Sequence, residues 1–263
     1  MSARRQNIET MSSEFSDPVT WWRVHRDDHV VLDGFHAIKH ALRFGADVRV
    51  VLSADVPTLT RLADDLAPDV ALTVTRLATP VSQDVLATLV RRPHPTRVAA
   101  LASRPNLRLP TPRTAPVITL DNPRHLGNAG AVVRLAAGFG LDGVLTTGDV
   151  DPWHPAVVRA AAGLHFATAV SRVDEDEMPR GPLFVLDAKG DDLRDVTVPD
   201  DAVLVFGSER HGVSRKFRDR ADLVASLPMR PKVSSYNLAT SVAMTVYAWA
   251  ARKETVTGAR RQR

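Results

Sequence analysis

VITLDNPRHLGNAGAVVRLAAGFGLDGVLTT, residues 117–147, reads as strand, polar loop, helix and strand in succession. Val117–Leu120 and Gly143–Thr147 are largely apolar throughout, and between them a helix is expected over Ala129–Gly138. Two more apolar runs follow, LFVLDA (Leu183–Ala188) and AVLVFG (Ala202–Gly207). Candidate helices at Pro155–Gly163 and Tyr236–Arg252 are interleaved with them. A strand that is apolar on both sides of its pleat must be covered on both sides. The C-terminal half therefore reads as α/β, a mainly parallel sheet between layers of helix.

Upstream the elements are shorter. GFHAIKHALRFG (Gly34–Gly45) reads as a helix and VRVVLS (Val48–Ser53) as a strand. A helix over Leu59–Leu66, a strand over Val70–Val74 and a helix over Val81–Val90 are expected after them. Together they form a small α/β domain spanning 17–103. RPNLRLPTPRTAP (104–116) then places four prolines in 13 residues. Proline breaks helices and central strands, so 104–114 reads as a linker into a second domain over 115–252. The first 16 residues are polar and aperiodic and are expected to be disordered, and 253–263 forms a basic tail.

Composition narrows the function classes. The 263 residues are 44% hydrophobic and 24% charged, as in an ordinary globular protein. With no cysteine, disulfides, thiolate zinc sites and cysteine nucleophiles are excluded. No HExxH pattern marks a metal site, and no GxSxG elbow marks a serine hydrolase. No run of 18 apolar residues and no secretory signal occur, so a cytoplasmic protein away from membranes is expected. The formal charge is +4, and it is clustered: six arginines, among them Arg91, Arg92 and Arg97, lie between 91 and 113 with no acid. Such a cluster reads as a footprint for an RNA phosphate backbone, or as a solvated linker.

Three polar, glycine-bearing clusters sit where strands end, the usual place for ligands in open α/β sheets. In the first, Asn128 and Arg134 lie six residues apart and are expected to face one direction near a helix start, where a cation suits phosphate or a developing oxyanion. In the second, VFGSERHGVS, Gly207 permits close backbone approach and Glu209 follows it. In the third, SLPMRPKVSSYNLATSVAM (226–244), a proline-bearing loop leads to Ser235 and Asn237 before a helix. Each cluster read singly also fits ordinary capping and turn chemistry. Gly138, Gly140 and Gly143 match GxGxxG, but they end a helix instead of opening one, which argues against a dinucleotide-dependent oxidoreductase.

Taken in order, the clusters resemble the three signature motifs of the SpoU/TrmH family of SPOUT methyltransferases. Asn128 and Arg134 match its N-x5-R motif. Gly207, Ser208, Glu209 and Gly212 match GSExxG, and Leu227-Pro228-Met229 with Ser235-Tyr236-Asn237 is similar to IPM…SLN. RAAAGLHF (159–166) and GFHAIKHAL also resemble family stretches, so the likeness covers roughly residues 30–252. The resemblance implies an S-adenosylmethionine-dependent RNA ribose 2′-O-methyltransferase, ribosomal RNA favoured over transfer RNA. It further implies a C-terminal trefoil knot, a ribosomal-protein-like N-terminal substrate-binding domain and a homodimer with an active site completed across the interface. The implied catalytic group is Arg134, Asn128, Glu209, Ser235 and Asn237. The implied cofactor contacts are Gly207, Leu227, Met229 and Tyr236, with no metal. Pro231, Tyr236 and Ala161 depart from the family pattern, and a catalytically inactive RNA-binding paralogue is the alternative.

Overall fold

The structure, a computed structural model, describes residues 17–261, with side chains as far as Arg252. The segment 1–16 and the side chains of the basic tail lie outside the described residues. The chain divides into two compact units between Asn106 and Leu107.

In the first unit, β1 (Val30–Asp33), β2 (Val48–Ser53), β3 (Ala78–Pro80) and β4 (Val98–Ala102) form a sheet ordered β1-β4-β2-β3. Strand β4 is antiparallel to both neighbours and β3 runs parallel to β2. Among the described residues five α-helices accompany it: α1 (Pro18–His25), α2 (Phe35–Arg43), α3 (Val56–Leu66), α4 (Ala71–Leu77) and α5 (Gln83–Leu89). Short polar side chains start three of them. Asp17 accepts from the amides of Val19 and Thr20, Asp55 from Thr58 and Ser82 from Val85. Trp22, Leu52, Leu86 and Leu101 are fully or almost fully buried in the core between helices and sheet.

One expectation fails here. The strand read over Val70–Val74 is helix α4. A five-residue V-A-L-T-V alternation also fits one helical turn, and tertiary packing decides: Ala71 and Val74, three apart, are buried together while Leu72 faces outward.

The second unit is a six-stranded sheet ordered β10-β8-β9-β5-β6-β7, in which every neighbouring pair is parallel. Its strands are β5 (Val117–Leu120), β6 (Gly143–Thr146), β7 (Ala169–Arg172), β8 (Leu183–Asp192), β9 (Val203–Phe206) and β10 (Leu223–Ser226). Helices α6 (Leu126–Phe139), α7 (Pro155–Ala160), α8 (Arg215–Asp219) and α9 (Leu238–Arg261) connect and flank them. Every residue of β5, β6 and β9 is buried, as the apolar runs require. The chain starts in the middle at β5, adds β6 and β7 on one side, then crosses to place β8, β9 and β10 on the other. The order thus reverses between β5 and β9, and the crevice beyond that switch point is where such sheets bind ligands.

Helix α6 is set close to α7. A Cβ on Gly130 would lie 2.5 Å from both the Ala160 Cβ and the Val157 carbonyl oxygen. The glycine trio ends α6 and enters β6, with Gly140 as a left-handed C-cap, so the dinucleotide reading has no structural basis. Among the described residues no helix is long and apolar enough to cross a membrane.

Candidate active site

Three strand ends are tied together by one buried carboxylate. Asp121, directly after β5, accepts from the Ser214 amide at 2.6 Å and from the Thr147 hydroxyl at 3.2 Å. The segments leaving β5, β6 and β9 are thereby held in a fixed relation. Sequence reasoning passes over Asp121, although an acid immediately after an apolar strand is a recognisable signal.

Beyond these ends lies a cleft of about 560 Å³. It is bordered by Leu186, Asp187 and Ala188 of β8, the turn after β9, the loop after β10 and the first turns of α6 and α9. The turn after β9 is tight: the Ser208 and Gly212 amides donate to each other's carbonyls at 3.1 and 3.0 Å. It folds back over Gly207 so closely that a Cβ there would sit 1.9 Å from the Gly212 carbonyl carbon. Only glycine fits that position, and the backbone of Gly207 is left facing the cleft without a side chain between.

A directed hydrogen-bond chain runs along one wall. The Asn237 oxygen caps α9, accepting from the amides of Ala239 and Thr240 at 2.9 and 3.3 Å. Its nitrogen must then point away, and it donates to the Asn128 oxygen at 3.1 Å. The Asn128 nitrogen in turn donates to the Glu209 carboxylate at 2.7 Å. The Arg124 amide adds a further donor to Glu209 at 3.1 Å. Partial burial of Glu209 opposes its charge, but hydrogen bonds from Asn128 and from the amides of Glu209, Arg124 and His125 outweigh burial and hold its carboxyl below the ordinary value.

The loop between β10 and α9 forms the facing wall. Leu227, Met229, Ser235 and Tyr236 line the cleft from it. The Tyr236 hydroxyl donates to the Pro228 carbonyl at 2.9 Å, fastening the loop to itself.

Asn128, Glu209, Ser235, Asn237, Gly207, Leu227, Met229 and Tyr236 are thus brought to one cleft, whereas Arg134 is not. It sits on the exposed face of α6, and the expectation that it faces the same way as Asn128 is corrected. Six residues at about 100° each leave the two side chains roughly 120° apart around the helix. His125 and Asp187 also border the cleft and are not anticipated by the motifs. Among the described residues no group of three or more histidine or acidic side chains is placed to hold a metal ion.

The arginines of the first unit separate. Arg91 borders a groove of about 600 Å³ together with Trp22, Arg23, Arg26 and Thr88. The Trp22 indole N–H is buried and has no hydrogen-bond partner among the described residues. Arg92 and Arg97 lie outside that groove, and the backbone of Arg97, at φ 50°, accepts from the Ala54 amide.

A parallel α/β sheet with a glycine-floored cleft at its switch point, walled by amides and the carboxylates of Glu209 and Asp187, defines a small-molecule-binding unit built for group positioning. The chain belongs to the SpoU rRNA Methylase family, whose model matches residues 115–247. It is 25% identical over 241 residues to the 23S rRNA (guanosine(2553)-2′-O)-methyltransferase RlmP of Bacillus subtilis (strain 168), covering 86% of this chain and 93% of that protein. A solved RNA 2′-O ribose methyltransferase superposes with TM-score 0.70 at 26% identity, over 89% of this chain and 92% of the other. The SpoU methyltransferase AviRb of Streptomyces viridochromogenes, solved in complex with AdoMet, has the same fold, with TM-score 0.71 at 23% identity over 87% and 91% of the two chains.

Proposed function

We propose that the protein transfers a methyl group from S-adenosylmethionine to a ribose 2′-hydroxyl of RNA, ribosomal RNA in preference to transfer RNA. The observation that carries this reading is the single cleft in which Asn128, Glu209 and Asn237 form a directed chain beside Gly207, Leu227 and Met229. Membership of a family of rRNA methylases, and the name of the B. subtilis relative, support the substrate class.

The cleft suits the cofactor. Its volume falls in the range of small-ligand sites, and its apolar side chains Leu186, Phe206, Leu227 and Met229 suit an adenine ring. The backbone of Gly207, Leu227 and Tyr236 supplies donors and acceptors at its edge. Tyr236 differs from the family's leucine, but its hydroxyl is bound to its own loop and a backbone contact does not depend on the side chain. S-Adenosylmethionine, when bound, supplies an electrophilic methyl group.

The chain's task is then to place the ribose hydroxyl in line and to ease loss of its proton. Glu209, held below its ordinary value, is a poor base, and its role is to fix Asn128. Asn128, Ser235 and Asn237 orient the substrate. Arg134, a guanidinium too basic to take a proton, clamps phosphate and ribose and stabilises the forming alkoxide. Because Arg134 lies outside the cleft of its own subunit, it acts on the site of a second copy, in a homodimer that completes each active site. The trefoil knot implied by the resemblance and residence in the cytoplasm belong to the same proposal.

Arg134→Ala is expected to abolish methyl transfer while S-adenosylhomocysteine affinity, measured by calorimetry, stays within a few-fold of wild type. Full activity in that variant would remove Arg134 from the mechanism. No S-adenosylhomocysteine binding to the folded wild type would instead favour an RNA-binding paralogue without catalysis.

A further inference from the structure

Two carboxylates border the cleft, and the chemistry above uses only one. Glu209 is bonded to Asn128. Asp187 borders the cleft from β8. It follows Leu186, which pairs with Phe206 in the β8–β9 register, so Asp187 lies within β8 level with Gly207, the first residue after β9. Its side chain is only 17% exposed and is fixed by two partners. Arg218 of α8 lies 3.0 Å from Oδ2, and the Lys189 amide donates to Oδ1 at 3.1 Å. Arg218 also backs the turn after β9, since a Cβ on Gly212 would lie 3.4 Å from its Nη2.

A carboxylate has about four acceptor positions, and these two contacts use two of them. What remains is a fixed pair of acceptors on the cleft wall beside the backbone expected to hold adenine. The ligand group that matches is a vicinal diol, whose two hydroxyls donate to the two oxygens of one carboxylate, as an acidic residue serves a ribose in other α/β sites.

We propose that Asp187 holds the ribose hydroxyls of the cofactor's adenosine moiety, and that the Arg218 ion pair keeps the carboxylate aimed at them. This rests on the cofactor reading given above. A charged acceptor deprived of its hydroxyl partner costs roughly tenfold to a hundredfold in affinity.

The test is calorimetry on the full chain with three probes: S-adenosylhomocysteine, 5′-methylthioadenosine and the 2′-deoxy form of the latter. Wild type should bind 5′-methylthioadenosine roughly tenfold or more tighter than its 2′-deoxy form. Asp187→Asn, which keeps the shape of the side chain, should bring that ratio close to one. It should weaken S-adenosylhomocysteine and 5′-methylthioadenosine by the same factor. Arg218→Ala keeps the carboxylate and should cause the smaller loss. An unchanged ratio in Asp187→Asn overturns the proposal, as does a loss confined to S-adenosylhomocysteine, which would assign the carboxylate to the ammonium group. An equal loss in Arg218→Ala would reduce Asp187 to a brace for the turn. Failure of wild type to bind any probe overturns the cofactor reading itself, and the proposal with it.

Discussion

Asn237 uses both ends of its amide, and this sets the direction of everything it touches. Its oxygen is committed to the first turn of α9, so its nitrogen faces Asn128, whose own nitrogen is then committed to Glu209. No amide in the chain can flip without leaving a donor opposite a donor. Asn128→Ala breaks the chain at its middle and leaves Glu209 with backbone donors only. Methyl transfer is expected to fall roughly tenfold to a hundredfold, the worth of a hydrogen bond to a charged group, with S-adenosylhomocysteine affinity nearly unchanged. Glu209 also makes stability depend on pH. Its folded carboxyl lies below the ordinary value of 4.5, so its contribution is fully present above that value and is lost as pH falls through the folded value. The difference in unfolding midpoint between wild type and Glu209→Gln should therefore be constant near neutrality and shrink below about pH 4.5. A gap that widens on acidification would contradict the network.

Two of the three glycines of helix α6 carry opposite expectations. Gly130 faces α7 with no room for a Cβ, whereas nothing lies within 4 Å of a Cβ on Gly138. Gly130→Ala must push α6 from α7 and move Asn128 with it, costing about 1–3 kcal/mol and lowering activity. Gly138→Ala should stabilise by about 0.5–1 kcal/mol and leave activity alone, because it only removes unfolded-chain freedom. Thermal unfolding of both variants checks the pair, and equal effects would mean that α6 is not seated as described. Legibility also varies by element. β5 matches its reading residue for residue, since four buried positions, three of them apolar and one a β-branched threonine, between a proline and an acid leave little choice. β4, the strand between β1 and β2, escapes a reading by pattern because VAALA is rich in alanine, which carries no strand preference. α4 reads wrongly as a strand because alternation over five residues does not separate a strand from a turn of helix. The cleft residues are legible through motif order, but Asp121 and Asp187 are not. Asp121 follows the end of β5 and Asp187 lies within β8, and only the assembled sheet gives either one its partners. Arg134 reads onto the wrong face when spacing is counted in turns and not in angle.

On the scale of the whole molecule, the RNA-docking role proposed for the first unit centres on the groove bordered by Arg23, Arg26 and Arg91. Replacing these three by alanine should weaken RNA binding and flatten its salt dependence by about 0.7–0.9 in slope for each phosphate no longer neutralised. Replacing Arg92 and Arg97, outside the groove, should change the slope less. Cofactor affinity should be unaffected in both. An unchanged slope in the first variant would leave these arginines as solubilising charge alone.

The boundary between the units carries a consequence of its own. Much of the proline-rich segment that reads as a linker belongs to the second unit. Arg113 donates to the backbone carbonyls of Arg180, Asp201 and Ala202, and the Leu109 side chain occupies the space over Gly143. The amides of Thr114 and Ala115 are both held by Asp142. For gene recombination, the natural crossover point therefore lies after Asn106, ahead of the family match at 115. A chimera spliced at 115 leaves these anchors behind with the discarded partner, whereas one spliced after 106 inherits the methylase unit with its own fastenings.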